Sequence, residues 1–249
     1  MLEQKINSIK EKTEIVVLPE MFSTGFSMNP EILAETMEGE TMQWMKRIAV
    51  AKKIILTGSI IIKDSSTDDE ANKYFNRLIW MLPNGQYGIY DKRHRFAFAG
   101  EDRYYTSGNK RLIASVKGWK INLQVCYDLR FPVWSRQQSQ TGEPEYDLLI
   151  YVANWPEKRN TAWKTLLQAR AIENQCYVVG VNRVGKDGND INYSGDSMII
   201  DPLGEILYQK KEEEDIFTIV LTKDHLQTVR EKFPFWKDAD EFQIITEME

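Results

Sequence analysis

Residues 121–132 read INLQVCYDLRFP, and the interpretation of the whole chain starts from this stretch. The mostly apolar run at 121–125 predicts a buried strand, and the polar turn before Pro132 predicts a sharp stop. Cys126 falls where the strand ends, which is how a rigid sheet presents a nucleophile. Because a lone cysteine is more often a small buried apolar residue, position alone leaves both interpretations of Cys126 open.

Length and composition are typical of one folded α/β domain. The chain has 249 residues, with 42% hydrophobic and 28% charged residues, and one hydrophobic core reaches about 250–300 residues. The net charge of −5 gives no basic footprint for nucleic acid, and no apolar run reaches the roughly 20 residues of a membrane helix. The two cysteines give neither a disulfide framework nor metal-ligand spacing, and the start carries no secretion signal. We therefore expect a cytoplasmic protein with no metal, nucleic-acid partner or membrane contact.

Hydrophobic periodicity predicts strands that alternate with helices. Helical spacing occurs at residues 2–12, 40–53 and 161–174, the last with Trp163, Leu166, Leu167 and Ile172 facing inward. Apolar runs predict strands at residues 15–18, 54–62, 74–82, 87–90, 121–125, 147–152, 176–181, 198–200, 205–208 and 217–221. Residues 96–108 look irregular, and residues 136–145 look like a polar linker. Because hairpin signals such as Pro83-Asn84-Gly85 are mixed with crossovers, mixed sheets fit better than purely parallel ones.

Four polar residues directly follow predicted strands: Glu20, Lys92, Cys126 and Asn154. Ligands of open α/β sheets bind beyond the carboxyl ends of strands, so these side chains converge if the strands are neighbours. Glu20 would then accept the thiol proton and return it to a leaving nitrogen. Lys92, with a backbone N–H after Cys126, would stabilise a tetrahedral oxyanion. Local sequence alone favours a basic surface turn for Lys92 and allows a simple cap for Glu20.

A cysteine–histidine pair is the competing arrangement. On a strand, positions 92 and 94 point to the same face, so spacing does not exclude His94 as the base. His225 lies in a charged tail near Asp224, and Cys176 at the start of a strand looks structural.

Three separated runs resemble the nitrilase, or carbon–nitrogen hydrolase, superfamily. They are VLPEMF at 17–22, DKRH at 91–94 and VCYDLRFP at 125–132, and ARAIEN at 169–174 and SMIIDPLG at 197–204 continue the resemblance in order. It covers essentially the whole chain. The resemblance implies a four-layer α-β-β-α sandwich with mixed sheets that forms homodimers.

The same resemblance implies a Glu20–Lys92–Cys126 triad that works without a metal or organic cofactor. It implies that Glu101 orients the lysine and the substrate amide. It also implies that the backbone N–H of Tyr127 completes the oxyanion hole.

Within the superfamily, MFSTGFSM at 21–28, AGE at 99–101 and NWP at 154–156 resemble the ω-amidase branch. That branch hydrolyses the terminal amide of 2-oxoglutaramate or 2-oxosuccinamate to ammonia and the 2-oxo acid. The resemblance implies that Phe26 and Asn154 contact this small amide substrate, with water as the second reactant.

Arginine side chains are the candidates for binding a dicarboxylate-like substrate, which needs a cation in its pocket. Arg130, four residues past the nucleophile, is the candidate, and a structural ion pair with Asp128 or Glu173 is an equally good interpretation. Arg170 and Glu173, one helical turn apart, are expected to bind backbone or each other.

The chain departs from the family pattern at its start and at Asp196, where many relatives have histidine. The family begins with a strand before its first helix, whereas this sequence starts inside that helix, so the first strand is expected to be absent. Residues 1–221 are expected to form one hydrolase domain. The tail at 222–249, with FPFW at 233–236, is expected to pack on the domain or across a dimer interface.

Two further interpretations remain open. Hydrolysis of a nitrile, an N-carbamoyl group or another amide uses the same triad, and only pocket shape separates these reactions. The missing strand supports an inactive homologue that serves as a dimeric binding protein, and the intact triad counts against it.

Overall fold

The computed structural model describes residues 1–64, 73–138 and 142–245. Its helices are α1 (Leu2–Ser8), α2 (Pro30–Leu33), α3 (Glu40–Lys52), α4 (Glu101–Tyr104), α5 (Pro132–Ser135), α6 (Asn160–Asn174) and α7 (Lys223–Lys232). Its strands are β1 (Ile15–Val17), β2 (Ile55–Asp64), β3 (Lys73–Met81), β4 (Tyr87–Asp91), β5 (Leu112–Val116), β6 (Trp119–Val125), β7 (Leu148–Ala153), β8 (Tyr177–Asn182), β9 (Val184–Lys186), β10 (Asn192–Ile200) and β11 (Ile206–Lys211). Short 3₁₀ segments occupy Ala97–Ala99, Cys126–Arg130, Glu157–Arg159 and Phe235–Asp238.

The strands form two mixed sheets, as the hairpin signals predicted. One sheet has the order β1-β2-β3-β4, with β1 parallel to β2 and the other neighbours antiparallel. The other has the order β11-β10-β8-β7-β6-β5, in which β6, β7 and β8 run parallel, and β9 pairs with β10. Parallel neighbours place their carboxyl ends at one edge, which is where a site can form.

The two sheets pack face to face, and helices cover their outer faces. Alternate side chains of β3 face different layers. Leu78 and Trp80 pack with β6 residues in the core between the sheets, whereas Ile79 and Met81 pack with α3. On the other sheet, α6 packs against β8 and β10, and a Cβ on Gly180 would lie 2.5 Å from Leu167. Position 180 therefore needs glycine. The packing of the two sheets and their helices confirms the predicted four-layer α-β-β-α sandwich.

The edge of β1 borders an open groove. Within the described residues β1 pairs only with β2. A groove of about 800 Å³ runs beside it and is lined by residues that include Val17, Val179, Ile199 and Phe217. The strand predicted at 217–221 is wrong, because these residues follow the groove wall without being assigned to either sheet.

Other boundaries differ from the predictions for identifiable reasons. Ile172 is 54% exposed rather than inward, because it lies about 140° around the helix from the buried Leu167. The strand β5 was not predicted; it pairs with β6 through a tight turn at Lys117-Gly118, where φ is 46° and 80°. The irregular stretch 96–108 contains α4, and part of the predicted linker, residues 139–141, lies outside the described residues.

The helix α7 packs on its own chain. Leu226 is 1% exposed within the main core. The Arg230 guanidinium donates hydrogen bonds to Asp147, the Tyr146 carbonyl and the Gln175 carbonyl. In the described part of the chain, no helix is long and apolar enough to cross a membrane.

Candidate active site

The ends of β1, β4, β6 and β7 bring together the four residues that were predicted to converge. Nζ of Lys92 lies 3.0 Å from Oε1 of Glu20 and 2.8 Å from Oε2 of Glu101. Sγ of Cys126 lies 4.0 Å from the carbonyl oxygen of Asn154. Glu20, Lys92 and Glu101 are each at most 1% exposed, so Lys92 is a buried cation and not part of a surface turn.

Glu20 is held by donors from both sheets. Its Oε1 accepts hydrogen bonds from Nδ2 of Asn76 at 2.7 Å and from Lys92. Its Oε2 accepts the backbone N–H of Asn154 at 2.8 Å, and the Asn154 side chain donates to the Glu20 carbonyl at 2.8 Å. These charge-assisted bonds fix the carboxylate in one orientation. The Asn154 side chain thus faces the backbone of Glu20.

Both carboxylate oxygens of Glu101 accept hydrogen bonds from the ammonium group of Lys92, at 3.0 and 2.8 Å. Its Oε2 also accepts the backbone N–H of Phe96, and its Oε1 accepts a longer bond of 3.3 Å from Asn76. Gly100 precedes it with φ of 79°, a conformation that favours glycine. Glu101 is therefore fully engaged as an acceptor and positions Lys92.

Cys126 occupies a strained turn between β6 and the 3₁₀ segment Cys126–Arg130. Its φ is 46°, a conformation that costs a non-glycine residue of order 1–3 kcal/mol. The buried Asp128 pins the turn by accepting the Val125 N–H at 3.0 Å and the Tyr90 hydroxyl at 2.7 Å. The first N–H groups of such a segment lack intrahelical acceptors, so they are available to an oxyanion.

Both histidines are engaged elsewhere. Nδ1 of His94 lies 2.8 Å from Oδ1 of Asp128, and its ring stacks on Phe131. Nε2 of His225, on α7, lies 3.0 Å from Asp201. The geometry therefore gives the cysteine–histidine alternative no support.

Burial and neighbouring charge set the protonation of the central groups. Burial, the Glu20 carboxylate and a hydrogen bond with it raise the pKa of the Cys126 thiol well above its ordinary value, although Lys92 opposes this. Burial alone lowers the pKa of Lys92, but Glu101 and Glu20 outweigh it, so this pKa is raised well above its ordinary value. Burial likewise raises the pKa of Glu101, against the effect of Lys92. The arrangement at neutral pH is a neutral thiol beside a protonated lysine.

Aromatic rings surround these polar groups. Nζ of Lys92 lies 5.5 Å from the ring centre of Phe26, and the rings of Phe96 and Tyr127 are 5.0 Å apart. Cζ of Arg130 lies 4.9 Å from the ring centre of Trp155.

The two carboxylates considered as partners of Arg130 are bound by other groups. The Asp128 carboxylate is hydrogen-bonded to the Tyr90 hydroxyl and to the His94 ring. Oε1 of Glu173 accepts a hydrogen bond of 3.0 Å from the Arg170 guanidinium. Arg170 also donates to the Leu129 carbonyl, so the predicted structural role of Arg170 and Glu173 is confirmed.

Sequence reasoning missed two asparagines that organise the site. Asn76 lies on the same face of β3 as Leu78 and Trp80, and a polar residue at a core-facing position was the available signal. Asn182 follows the predicted strand 176–181, as the other site residues follow theirs. Its side chain accepts the Trp155 N–H and donates to the Trp155 carbonyl, which fixes the segment after Asn154.

No cluster of three or more His, Cys, Asp or Glu side chains suited to a metal occurs in residues 1–64, 73–138 and 142–245. The candidate site itself brings together a thiol, two carboxylates and an ammonium group. Together they can take up and return a proton while a thiol attacks an electrophilic carbon.

Both the sequence and the fold of this chain are similar to those of known proteins. The sequence profile described as carbon-nitrogen hydrolase matches residues 2–231. Omega-amidase YafV of Yersinia enterocolitica is 44% identical over 243 residues, covering 96% of this chain and 89% of that protein. The 2-oxoglutaramate amidase of Bacillus subtilis is 32% identical, covering 94% of this chain and 87% of that protein. The crystal structure of XC1258 from Xanthomonas campestris, a CN-hydrolase superfamily protein with an arsenic adduct in its active site, superimposes with a TM-score of 0.92 at 42% identity, covering 98% and 91% of the two chains.

Proposed function

Because the chain belongs to the carbon–nitrogen hydrolase family, we propose that it hydrolyses the terminal amide of a small 2-oxo acid, 2-oxoglutaramate or 2-oxosuccinamate. The reaction would proceed through an acyl-thioester on Cys126. The observation that carries the proposal is Lys92 held between Glu20 and Glu101, next to the strained Cys126. Two relatives named for ω-amidase and 2-oxoglutaramate amidase activity support the substrate class.

The first half-reaction needs a base because the Cys126 thiol is neutral at ordinary pH. Glu20 takes the thiol proton as Sγ attacks the amide carbon. The carbonyl oxygen becomes an oxyanion, which Lys92 and the backbone N–H of Tyr127 stabilise. Glu20 then passes the proton to the nitrogen, the carbon–nitrogen bond breaks, and ammonia leaves an acyl-thioester.

The second half-reaction consumes water. Glu20 takes a proton from the water as its oxygen attacks the thioester carbon, and the same donors hold the oxyanion. The carbon–sulfur bond then breaks, and Cys126 recovers its proton from Glu20. Amide and water are thereby converted to carboxylic acid and ammonia.

Three further residues would position the reacting groups. Glu101 positions Lys92 and, through Lys92, orients the amide of the substrate. Asn76 bridges Glu20 and Glu101 through one amide nitrogen. Asn154, expected to contact substrate, would do so through its carbonyl near Sγ, because its side chain and N–H bind Glu20.

Substrate recognition would use the surrounding rings and a cation. Phe26, beside Lys92, would cover the methylene groups of the substrate. Arg130, which Trp155 orients, is the cation that the sequence predicts for the substrate carboxylate. No specific observation favours a nitrile or N-carbamoyl substrate, and a fully assembled site argues against an inactive binding protein.

The proposed enzyme is a homodimer. Three apolar side chains, on α5, on α6 and before β11, are exposed: Val133 at 56%, Ile172 at 54% and Leu203 at 48%. The segments that carry them are adjacent, because Arg136, after α5, donates to the Glu173 carbonyl on α6, and Gly204 packs against Ile172. Such a cluster is typical of an interaction surface. The tail after residue 221 would stabilise this domain from its own chain.

Ammonia release from 2-oxoglutaramate, with glutamine and butyronitrile alongside, tests the proposed function. We expect release from the 2-oxo amide that exceeds the others and that Cys126→Ala abolishes. Equal turnover by Cys126→Ala would refute the acyl-thioester, and preference for the nitrile or glutamine would refute the substrate class.

A further inference from the structure

We infer that Arg159 binds the substrate carboxylate and thereby selects ω-amides that carry a negative charge at the far end. This inference rests on the proposed function and names the side chain that recognises its substrate class. Arg159 follows a segment, residues 154–156, whose first residue already binds Glu20.

The backbone of Arg159 is fixed on both sides. The indole N–H of Trp155 donates to the Arg159 carbonyl at 2.8 Å. The next residue, Asn160, donates from its side chain to the buried Asp196 at 3.3 Å. A side chain that starts from a fixed backbone loses less entropy when it binds a ligand.

The guanidinium group is placed by aromatic packing that leads to the reacting centre. Its Cζ lies 5.2 Å from the ring centre of Phe96. That ring contacts Tyr127, the residue after the nucleophile, and the Phe96 N–H bonds to Glu101. Phe96 therefore contacts the Arg159 cation and Tyr127 through its ring and Glu101 through its backbone N–H.

Arg159 has unused capacity for a carboxylate. Within the described chain no salt bridge joins it to an acidic side chain, although it is half-buried. An arginine stacked on a ring keeps its planar edge of N–H donors, which matches a carboxylate in two parallel hydrogen bonds. The centre that it borders holds two carboxylates and one ammonium, so an anionic substrate needs an additional cation.

Arg159 and Arg130 differ in the rings that hold them. Arg130 lies over Trp155, which is 3% exposed and packs on Trp163 in the core. Phe96 and Tyr127 are both partly exposed beside the nucleophile. Arg159 is thus joined to Tyr127 and Glu101 through the partly exposed Phe96, whereas the ring beneath Arg130 is buried in the core.

The test compares two amides that differ in the charge of the far end and by one methyl group: glutaramate and its methyl ester. Ammonia release gives kcat/KM for each, and the ratio of the two values measures charge recognition. In Arg159→Met we expect this ratio to fall about 10–100-fold, mainly through KM for glutaramate, as for loss of a hydrogen-bonded charged pair. Arg159→Lys should recover part of the ratio because it retains the charge. Arg47→Met, at an exposed arginine paired with Glu3, is the matched control and should leave the ratio unchanged.

An unchanged ratio in Arg159→Met, or equal losses on both amides, would overturn the inference. Calorimetric binding of glutarate gives a readout without turnover: its Kd should rise at least about tenfold in Arg159→Met, and an unchanged Kd overturns the inference. Arg159→Gln serves if the methionine variant does not fold.

A different result would refute the proposed function without deciding the role of Arg159. A wild-type protein that ignores 2-oxoglutaramate but prefers glutaramate to its ester would refute the 2-oxo substrate and leave the role of Arg159 to be decided by the same ratio.

Discussion

The backbone N–H of Asn154 lies 2.8 Å from Oε2 of Glu20 and joins the two sheets at the candidate active site. Glu20 follows β1 of one sheet, and Asn154 follows β7 of the other. The position of the proposed base therefore depends on how the sheets pack, since neither sheet alone supplies its donors.

Replacing Glu20 by glutamine tests both consequences of this arrangement. Every donor around Glu20 requires an oxygen, so the new amide nitrogen faces a donor in either orientation. We expect kcat to fall by about 10²–10⁴, the contribution of a general base. We also expect the free energy of unfolding to fall by about 1–3 kcal/mol, since one buried donor loses its acceptor.

Ammonia release and urea denaturation measure these two effects. Glu205→Gln, at an exposed position, is the control and should change neither. A Glu20→Gln protein with wild-type turnover would exclude Glu20 as the base.

Asn76→Ala removes the amide that bridges the two carboxylates. Its Nδ2 lies 2.7 Å from Glu20 and 3.3 Å from Glu101. Loss of hydrogen bonds to charged groups, worth about 1.5–3 kcal/mol, should lower kcat roughly 10–150-fold and change KM little. The kinetic constants for 2-oxoglutaramate measure this. A rise in KM at constant kcat would instead show that Asn76 contacts the substrate.

Much of this fold and site followed from the sequence because local patterns carry it. Apolar runs gave most of the strands, and the residues directly after those runs gave Glu20, Lys92, Cys126 and Asn154, which the structure brings together. Local sequence shows which residue follows a strand. Neighbouring parallel strands end at the same edge of a sheet, so the residues that follow them come together there.

What the sequence did not show depends on partners distant along the chain. Asn76 matters because its amide meets two carboxylates, 56 and 25 residues away. The run 217–221 has strand composition but no assigned sheet partner, and strand formation depends on pairing as well as on propensity. Ile172 was wrongly predicted to face inward, because hydrophobic periodicity shows which side of a helix is buried but not how wide the buried stripe is.

The raised pKa of Cys126 predicts how alkylation of this thiol depends on pH. A raised pKa means that the thiolate forms at higher pH than in an ordinary cysteine, so alkylation by iodoacetamide should be slow at pH 7 and accelerate into the alkaline range. Burial raises this pKa most, followed by Glu20. Removing that negative charge in Glu20→Gln should therefore move the profile to lower pH.

Mass spectrometry of the Cys126 peptide across a pH series measures the rate. Cys176, which is fully buried, provides the internal reference. A wild-type profile that reaches its plateau below pH 7 would contradict the neutral thiol, and with it the need for a base in the first half-reaction.

The proposed homodimer predicts that one exposed apolar side chain controls association. Ile172 is 54% exposed on α6 and packs against Gly204, the residue after Leu203. Ile172→Arg would place a charge in the buried centre of a symmetric contact, where each subunit presents the same surface, so the penalty occurs twice.

We expect the wild-type protein to sediment as a dimer and Ile172→Arg to sediment as a monomer with unchanged circular dichroism. Ile32→Arg is the matched control, because Ile32 is 81% exposed on α2, which packs on the other sheet. A dimeric Ile172→Arg protein would place the interface elsewhere, and a monomeric wild-type protein would refute the homodimer.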